Sequence, residues 1–548
     1  MTHSSTLKIN FEIAIITILF SFILHINTPA QEIIWKKNFG GNGTEEFASI
    51  TTVQGGTVSV GYAYEGAFGA SDWEGITGKG GIDATIVKHD HNGNIVWRKN
   101  FGGSSTDRYY SVTTVTDGVI AVGYSNTNSF GNGDWKGIEA KGFYGDAIIV
   151  KYDNNGNVVW KKNFGGCGQD FFNAVTALPD GFVAVGEGYN TFGEGDWEGF
   201  EGRGGTDAII VKFDHNGNVV WKNIFGGIDI DQYYSVTTVS DGIVAVGHSS
   251  VHSLNTGDWI GITRRGGAII VKYDTDGNII LKKNFGGSAI GGDTFYSVTT
   301  VSDGIVAVGC TGYPDFNSGD WTGVIGFGDT DGIIVKFNNT DSIIWKRNFG
   351  GEGVDRFKAI LGCEDGVIAV GNSYPNSFGN GMLENMIGKG GVDAIIVKYN
   401  KLGNVVWKKN FGGKSSDFYW GVTATSNSIV AVGTSSRDSF GNGDWTGIAS
   451  NGTRGIIIKY SNSSVGITEP EQKLNEIKVF PNPTTGQLRI TNYELREGYI
   501  EIFYIYGRIV GANRIRLVCS ETVIDISHLQ AGIYFLRIGG KTVKIVKL

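Results

Sequence analysis

From Ile33 to Tyr460 the apolar positions fall in short runs parted by turns rich in Gly, Asn and Asp. One stretch shows the pattern: Tyr110 to Val115 (YSVTTV), a turn at Thr116-Asp117-Gly118, then Val119 to Tyr124 (VIAVGY). After a loop of roughly twenty residues come Ala147 to Tyr152 (AIIVKY), Asp153-Asn154-Asn155-Gly156, and Asn157 to Phe164 (NVVWKKNF). Each run reads as a strand, and the Asp-to-Gly link fits a type I turn closed by a left-handed glycine. VIAVG and AIIV are apolar at every position, so both faces of those strands must be covered.

The unit recurs. Its W-K-x-N-F-G-G segment begins at Trp35, Trp97, Trp160, Trp221, Leu281, Trp345 and Trp407, at spacings of 62, 63, 61, 60, 64 and 62, with Phe-Gly-Gly in every copy. Solenoid coils are usually shorter, and a single sandwich has no need of seven copies. A ring of blades, each sheltered by two neighbours, covers both faces of every sheet. The sequence therefore predicts an all-β fold: a seven-bladed β-propeller with four strands per blade. The repeat region opens on an orphan fourth strand (Ile33 to Phe39) and stops after a third (Ile456 to Tyr460). A three-plus-one closure is expected, in which the first segment completes the last blade and removes exposed edges.

Composition agrees. Glycine reaches 86 of 548 residues against 7 prolines, without a Gly-X-Y period, while hydrophobic residues make up 41%. This fits many short strands and tight turns rather than collagen or disorder. The net charge of −8 argues against a nucleic-acid partner. Cys167, Cys310, Cys363 and Cys519 share no spacing, which suggests neither disulfides nor a metal site. At the N-terminus, Lys8 precedes the apolar run Ile13 to Ile26, followed by Thr28-Pro29-Ala30; residues 1–30 read as a signal peptide. With that segment removed, no transmembrane segment is expected.

The order D-A-I-I-V-K-Y-D-x-x-G-N-x-x-W, F-G-G-x-x-x-D, V-A-V-G resembles the bacterial β-propeller repeats called SBBP, across all seven copies. The resemblance implies a propeller of exported proteins without one shared activity.

The candidate site lies in the long loop, with the pattern S-F-G-N-G-D-W-x-G-I. Its tryptophans are Trp73, Trp135, Trp197, Trp259, Trp321 and Trp445, each preceded by Asp72, Asp134, Asp196, Asp258, Asp320 or Asp444; the sixth copy departs with Met382-Leu383. Two readings stand. A ring of aromatic platforms beside carboxylates suits a glycan ligand, or each indole tucks inward to anchor its loop. Tryptophans of the fourth strand read as core between blades. Asp107, Asp170, Asp231, Asp293, Asp355 and Asp417, with Glu45 or Glu46 in the first copy, recur after Phe-Gly-Gly, where a carboxylate can accept turn N–H groups. The D-x-x-G-N turn lacks the ligands of a calcium loop. The 8 histidines share no spacing, and no G-x-S-x-G or H-E-x-x-H occurs. Sialidase boxes are absent, and the likeness of Asp153 to Trp160 to quinoprotein strands is met by turn-and-strand chemistry. No cofactor, metal or catalytic residue is expected.

After Tyr460 the composition changes. Residues 461–476 read as a linker, and 477–548 as a small β-sandwich with alternating strands. This tail resembles the type A C-terminal sorting domain of the type IX secretion system of Bacteroidetes. The matching residues are Pro481-Asn482-Pro483, Gly486, Tyr506-Gly507, Asp525-Ile526-Ser527, Leu529, Gly532-Ile533-Tyr534, Lys544 and Lys547. The resemblance implies partners in the type IX translocon and sortase, passage through the periplasm and outer membrane, and removal of the tail in the linker. The expected product is a secreted or surface-attached propeller spanning residues 31–460 that binds a glycan or protein and is not an enzyme. A hydrolase or lyase of extracellular polysaccharide, or a purely structural surface protein, is the alternative.

Overall fold

The computed structural model describes residues 32–262, 267–287, 292–312, 315–426 and 428–461, and in the tail 478–480, 485, 487–491, 498–504, 509–515, 521–538 and 541–548. The signal-peptide segment, the linker, Pro481, Asn482, Pro483, Gly486 and Cys519 lie outside the described residues. The chain divides into two compact units, Met1–Val465 and Gly466–Leu548.

Every regular element among the described residues is a strand or a single-turn 3-10 helix. The repeat folds as four antiparallel strands in chain order, shown by Asp107–Val115, Gly118–Asn126, Gly145–Asp153 and Val158–Phe164. Units that begin at Glu45–Val53, Gln169–Leu178, Asp231–Val239, Thr294–Val301 and Asp355–Cys363 repeat this order. The unit that begins at Asp417–Thr425 has three strands of its own; Ile33–Phe39 supplies the fourth, with Ile33 opposite Tyr460 and Phe39 opposite Gly455. The expected closure is therefore present.

First strands of neighbouring units touch in chain order, and Asp417–Thr425 touches Glu45–Val53, so the sheets close into a ring with those strands innermost. Hydroxyls bridge them: Thr51 Oγ1 to Thr114 Oγ1 at 3.0 Å, Thr52 Oγ1 to Thr423 Oγ1 at 3.0 Å. Second and third strands are buried on both faces, as their unbroken apolar runs demanded: Gly118–Tyr124 and Gly145–Tyr152 are buried throughout. Hydrophobic clusters span adjacent sheets; one unites Phe47, Ile50 and Trp73 with Val430, Val432 and Ile457 across the closure.

The fourth-strand tryptophans differ from expectation. Trp35, Trp97, Trp160, Trp221 and Trp407 are only half-buried, and Trp345 alone of this set is buried. They sit on the outer rim, where each of four donates its indole N–H to the Asp-x-x-Gly or Asn-x-x-Gly turn of the next sheet: Trp97 Nε1 to Asn154 O at 3.1 Å, Trp221 Nε1 to Thr275 O at 3.0 Å. The turn glycine lies flat beneath the ring. A Cβ on Gly156 would stand 2.8 Å from Trp97, and its φ of +79° already favours glycine. These tryptophans thus clamp one sheet to the next from outside.

In the second unit, Lys478–Phe480, Gln487–Thr491 and Glu521–Asp525 form one sheet. Ile509–Ile515, Gly498–Tyr504, Gly532–Ile538 and Lys541–Lys547 form another, in that spatial order. Ile526, Tyr534, Leu536 and Ile545 are buried there. Gly532 and Lys544 are exposed, and Lys547 is buried.

Candidate functional site

The loop tryptophans are anchors. Trp73, Trp135, Trp197, Trp259, Trp321 and Trp445 are all 0% exposed, which leaves no ring face for a ligand. The reading of these six as binding platforms is therefore corrected. Each indole turns inward because it finds both an apolar socket and an acceptor. Trp135 meets Phe101 edge-on at 4.9 Å and lies 4.9 Å from Phe130. Its N–H donates to Asp107 Oδ1 at 2.9 Å, and the Gly103 N–H and the Ser125 and Ser129 hydroxyls complete the shell of that carboxylate. The arrangement repeats as Trp197–Asp170, Trp259–Asp231, Trp321–Asp293 and Trp445–Asp417, at 2.8–3.1 Å. Burial still raises these acids, Asp170 to about 7 and Asp293 to about 6. In the first unit Glu45 stands at this position, and the Trp73 N–H has no partner.

The loop carboxylates are committed as well, and their reading as ligand contacts is corrected with the tryptophans. Asp134 N–H donates to Gly102 O, and Gly102 N–H donates back to Asp134 Oδ2 at 3.0 Å. Asp72, Asp196, Asp258, Asp320 and Asp444 accept the same glycine N–H in their own units. Four of the six also take a cation from the preceding sheet: Lys79–Asp134, Lys141–Asp196, Arg203–Asp258 and Lys389–Asp444. They staple a loop to its own sheet and one sheet to the next.

The Asp-x-x-Gly-Asn turns consume their carboxylates internally. Asp153 Oδ1 accepts from Asn155 N and Asn157 N, both at 2.8 Å, and Oδ2 accepts from Asn157 Nδ2 at 2.9 Å. Those bonds, the Asn157 backbone N–H first, hold the acid below its ordinary range. Among the described residues no group of three or more His, Cys, Asp or Glu could hold a metal ion.

A different set of side chains converges where the innermost strands face one another. Every innermost strand carries a β-bulge at the same place: Ala48, Tyr110, Asn173, Tyr234, Tyr296, Lys358 and Trp420 are the skipped residues. A bulge re-aims its side chain out of the ladder. Here it brings neighbours together. Tyr234 and Tyr296 lie 5.6 Å apart, Lys358 Nζ is 3.6 Å from the Tyr296 ring centre, and the same ammonium is 5.6 Å from Trp420.

Residues two positions before the bulge, and those opposite them on the second strand, complete the circle. Arg108 lies over Tyr62 at 4.6 Å; Glu46 bonds Tyr62; Phe171 stacks on Tyr124 at 4.6 Å. Glu187 bonds Gln232, and Phe418 stacks on Trp420, which donates to Thr434 at 3.3 Å. Burial raises Glu187 to about 7 and lowers Lys358 to about 8. Reading the sequence alone missed this set. Its signal was there: at these positions the copies disagree (Glu46, Arg108, Phe171, Gln232, Thr294, Arg356, Phe418), while flanking residues scarcely vary.

Ring and tail together define an exported β-propeller. Residues 478–548 match the family described as the secretion system C-terminal sorting domain, which indicates export to the cell surface or secretion. Among curated proteins the chain is similar to the regulatory protein FlaEY of Caulobacter vibrioides, 24% identical over 185 residues, or 32% of this chain and 19% of that one. It thus spans about a fifth of that relative's length. Among solved structures it is similar to BamB from Moraxella catarrhalis (TM-score 0.39, 11% identity, 79% of this chain and 100% of that). The WD40 β-propeller domain of Doa1 is a second (TM-score 0.40, 9% identity, 79% and 98%). Likenesses this distant carry no functional argument. No helix among the described residues is long and apolar enough to cross a membrane.

Proposed function

We propose that residues 33–461 form a seven-bladed propeller that acts outside the cell as a binding module, with its ligand held at the axial ring of bulge residues. The tail, a small β-sandwich, serves as a type IX secretion signal engaged by the translocon and sortase; the product is released or attached to the outer surface of the outer membrane. One observation carries the binding reading: along the innermost strands the residues at the bulge and two positions before it differ from copy to copy, while those beside them scarcely vary. Packing alone would favour one residue in every copy, whereas an asymmetric ligand needs different contacts from each blade. The site combines half-buried aromatics with charged and amide groups, a mixture suited to a glycan. Binding rather than catalysis is favoured: the Cys310 thiol, which lies by Lys358 and Arg356, is raised by burial, and that disfavours the thiolate a nucleophile requires.

A glycan array probed with the full chain tests this. Hits should vanish in Trp420→Ala and persist in Trp135→Phe when both variants keep their fold. Hits indifferent to every axial substitution would sink the proposal, and turnover abolished by one carboxylate substitution would favour an enzyme instead.

A further inference from the structure

The axial ring is electrically lopsided. Arg356 and Lys358 stand two residues apart on one strand, both half-buried, with Phe357 turned into the core between them. No salt bridge joins either cation to a carboxylate among the described residues. Arg108, the third cation of the ring, has Glu46 as an electrostatic partner, whereas Arg356 acts on Asp355 of its own strand and, with Lys358, on the Cys310 thiol. Nothing in the fold requires a lysine at the bulge, since other copies place Tyr110, Tyr234, Tyr296 or Trp420 there. A half-buried ammonium with aromatic faces and a thiol near it but no carboxylate in a salt bridge is costly, and desolvation already weakens its hold on the proton.

We propose that Arg356 and Lys358 receive the anionic group, a carboxylate or sulfate ester, of an acidic saccharide. This rests on the axial binding reading above. The planar guanidinium can take two oxygens in parallel, and the neighbouring ammonium adds a point charge, so one anion satisfies both. Tyr296 and Trp420, on the two adjacent blades, flank the anion, and Gln232, two blades away around the ring, serves a sugar hydroxyl. A nucleic acid is a poor candidate, because two unpaired cations in a chain of net charge −8 offer no phosphate track.

Titration calorimetry of the full chain with matched probes separates the outcomes. The probes are a galacturonate oligosaccharide and its methyl ester, and chondroitin sulfate and its desulfated form; which acid form binds tells carboxylate from sulfate. The expected result is binding of an acidic probe at least 10-fold tighter than its neutral partner. It should fall roughly 10-fold in Lys358→Tyr, which restores a residue the other copies carry, and further in Arg356→Gln. Equal affinity for a probe and its neutral partner overturns the anionic class; if Trp420→Ala still abolishes that binding, the axial site survives. Binding unmoved by Trp420→Ala, Lys358→Tyr and Arg356→Gln overturns the axial site itself. No binding of either acidic probe, or preference for an acidic peptide over both, also overturns the proposal.

Discussion

Asp207 allows a sharp test of how the sheets are held together. This carboxyl is fully buried where one sheet meets the next; Oδ2 accepts Arg203 N–H at 2.9 Å, and Oδ1 has no partner. A Cβ placed on Gly226 would stand 2.7 Å from Asp207 Oδ1 and 2.8 Å from Asp231 Oδ2, so both acids close on one glycine. Burial, reinforced by the Asp231 charge, raises Asp207 from 3.8 to about 6. A folded-state pKa above the unfolded value gives stability that is complete below about pH 4 and is lost as pH rises through about 6. The loss is about 2 pH units, or about 3 kcal/mol by pH 8. At about 2 cal/mol/K per residue over residues 33–461, that is on the order of 3 °C in melting temperature. Asp207→Asn removes the ionisation and can place an amide N–H beside Asp231. It should melt about 3 °C higher than the parent at pH 8 and close to it at pH 4.5, measured by calorimetry. A variant that melts lower at pH 8, or keeps the parental slope between pH 4.5 and 7.5, would refute this account. Asp83, Asp146, Asp331 and Asp393 are raised to about 6 at equivalent places, so the whole ring should lose stability over that interval.

Other expectations follow from the same contacts. Deleting residues 32–41 uncovers the edge of Arg454–Ser461 and should lower the melting temperature and promote association, seen by light scattering; an unchanged monomer would refute the closure. Trp135→Phe keeps most of the buried ring but strips Asp107 of an N–H, at about 1–3 kcal/mol in denaturant unfolding. Tyr152→Phe breaks a hydroxyl pair with Tyr109 and should cost about 1 kcal/mol, whereas Tyr399→Phe, whose hydroxyl is buried without a partner, should be neutral or stabilising.

Much of the framework was legible because each strand leaves its own local signature. The unbroken VIAVG and AIIV runs announced burial on two faces, and the orphan segment at Ile33 announced closure. Where the tryptophans point was not legible. Ser-Phe-Gly-Asn-Gly-Asp-Trp contains an aromatic and a carboxylate in either role, and what decides is a buried acid 28 residues earlier, Asp107 for Trp135. The rim tryptophans misled for a related reason. A large ring on a repeated strand suggests core, but its partner is the flat glycine of a turn on the next sheet, Gly156 beneath Trp97. The axial set was hidden because alternation gives a strand's faces, not its distance from an axis.

Departures from the repeat then divide into two kinds. Some are matched across an interface. Met382 replaces the loop Asp in the unit where Phe327, beside Gly381, stands in place of the cation that reaches over to four of the other units. Arg454 replaces a buried Asp where Glu45 replaces another, and the two form an ion pair at 3.5 Å across the closure. Gly267 stands where an Asp is otherwise buried, and His248 fills the space, 2.5 Å from where a Cβ would be. Each such change is answered by a neighbour, as expected when packing is what must be preserved. At the axis, Lys358 and Arg356 form no salt bridge among the described residues, and the groups that act on them are Asp355 on the same strand and the Cys310 thiol. Not every framework exception is answered, since the Trp73 N–H is left without a partner; what points the axial cations to a contact from outside the chain is their place beside Tyr296 and Trp420 without a salt bridge.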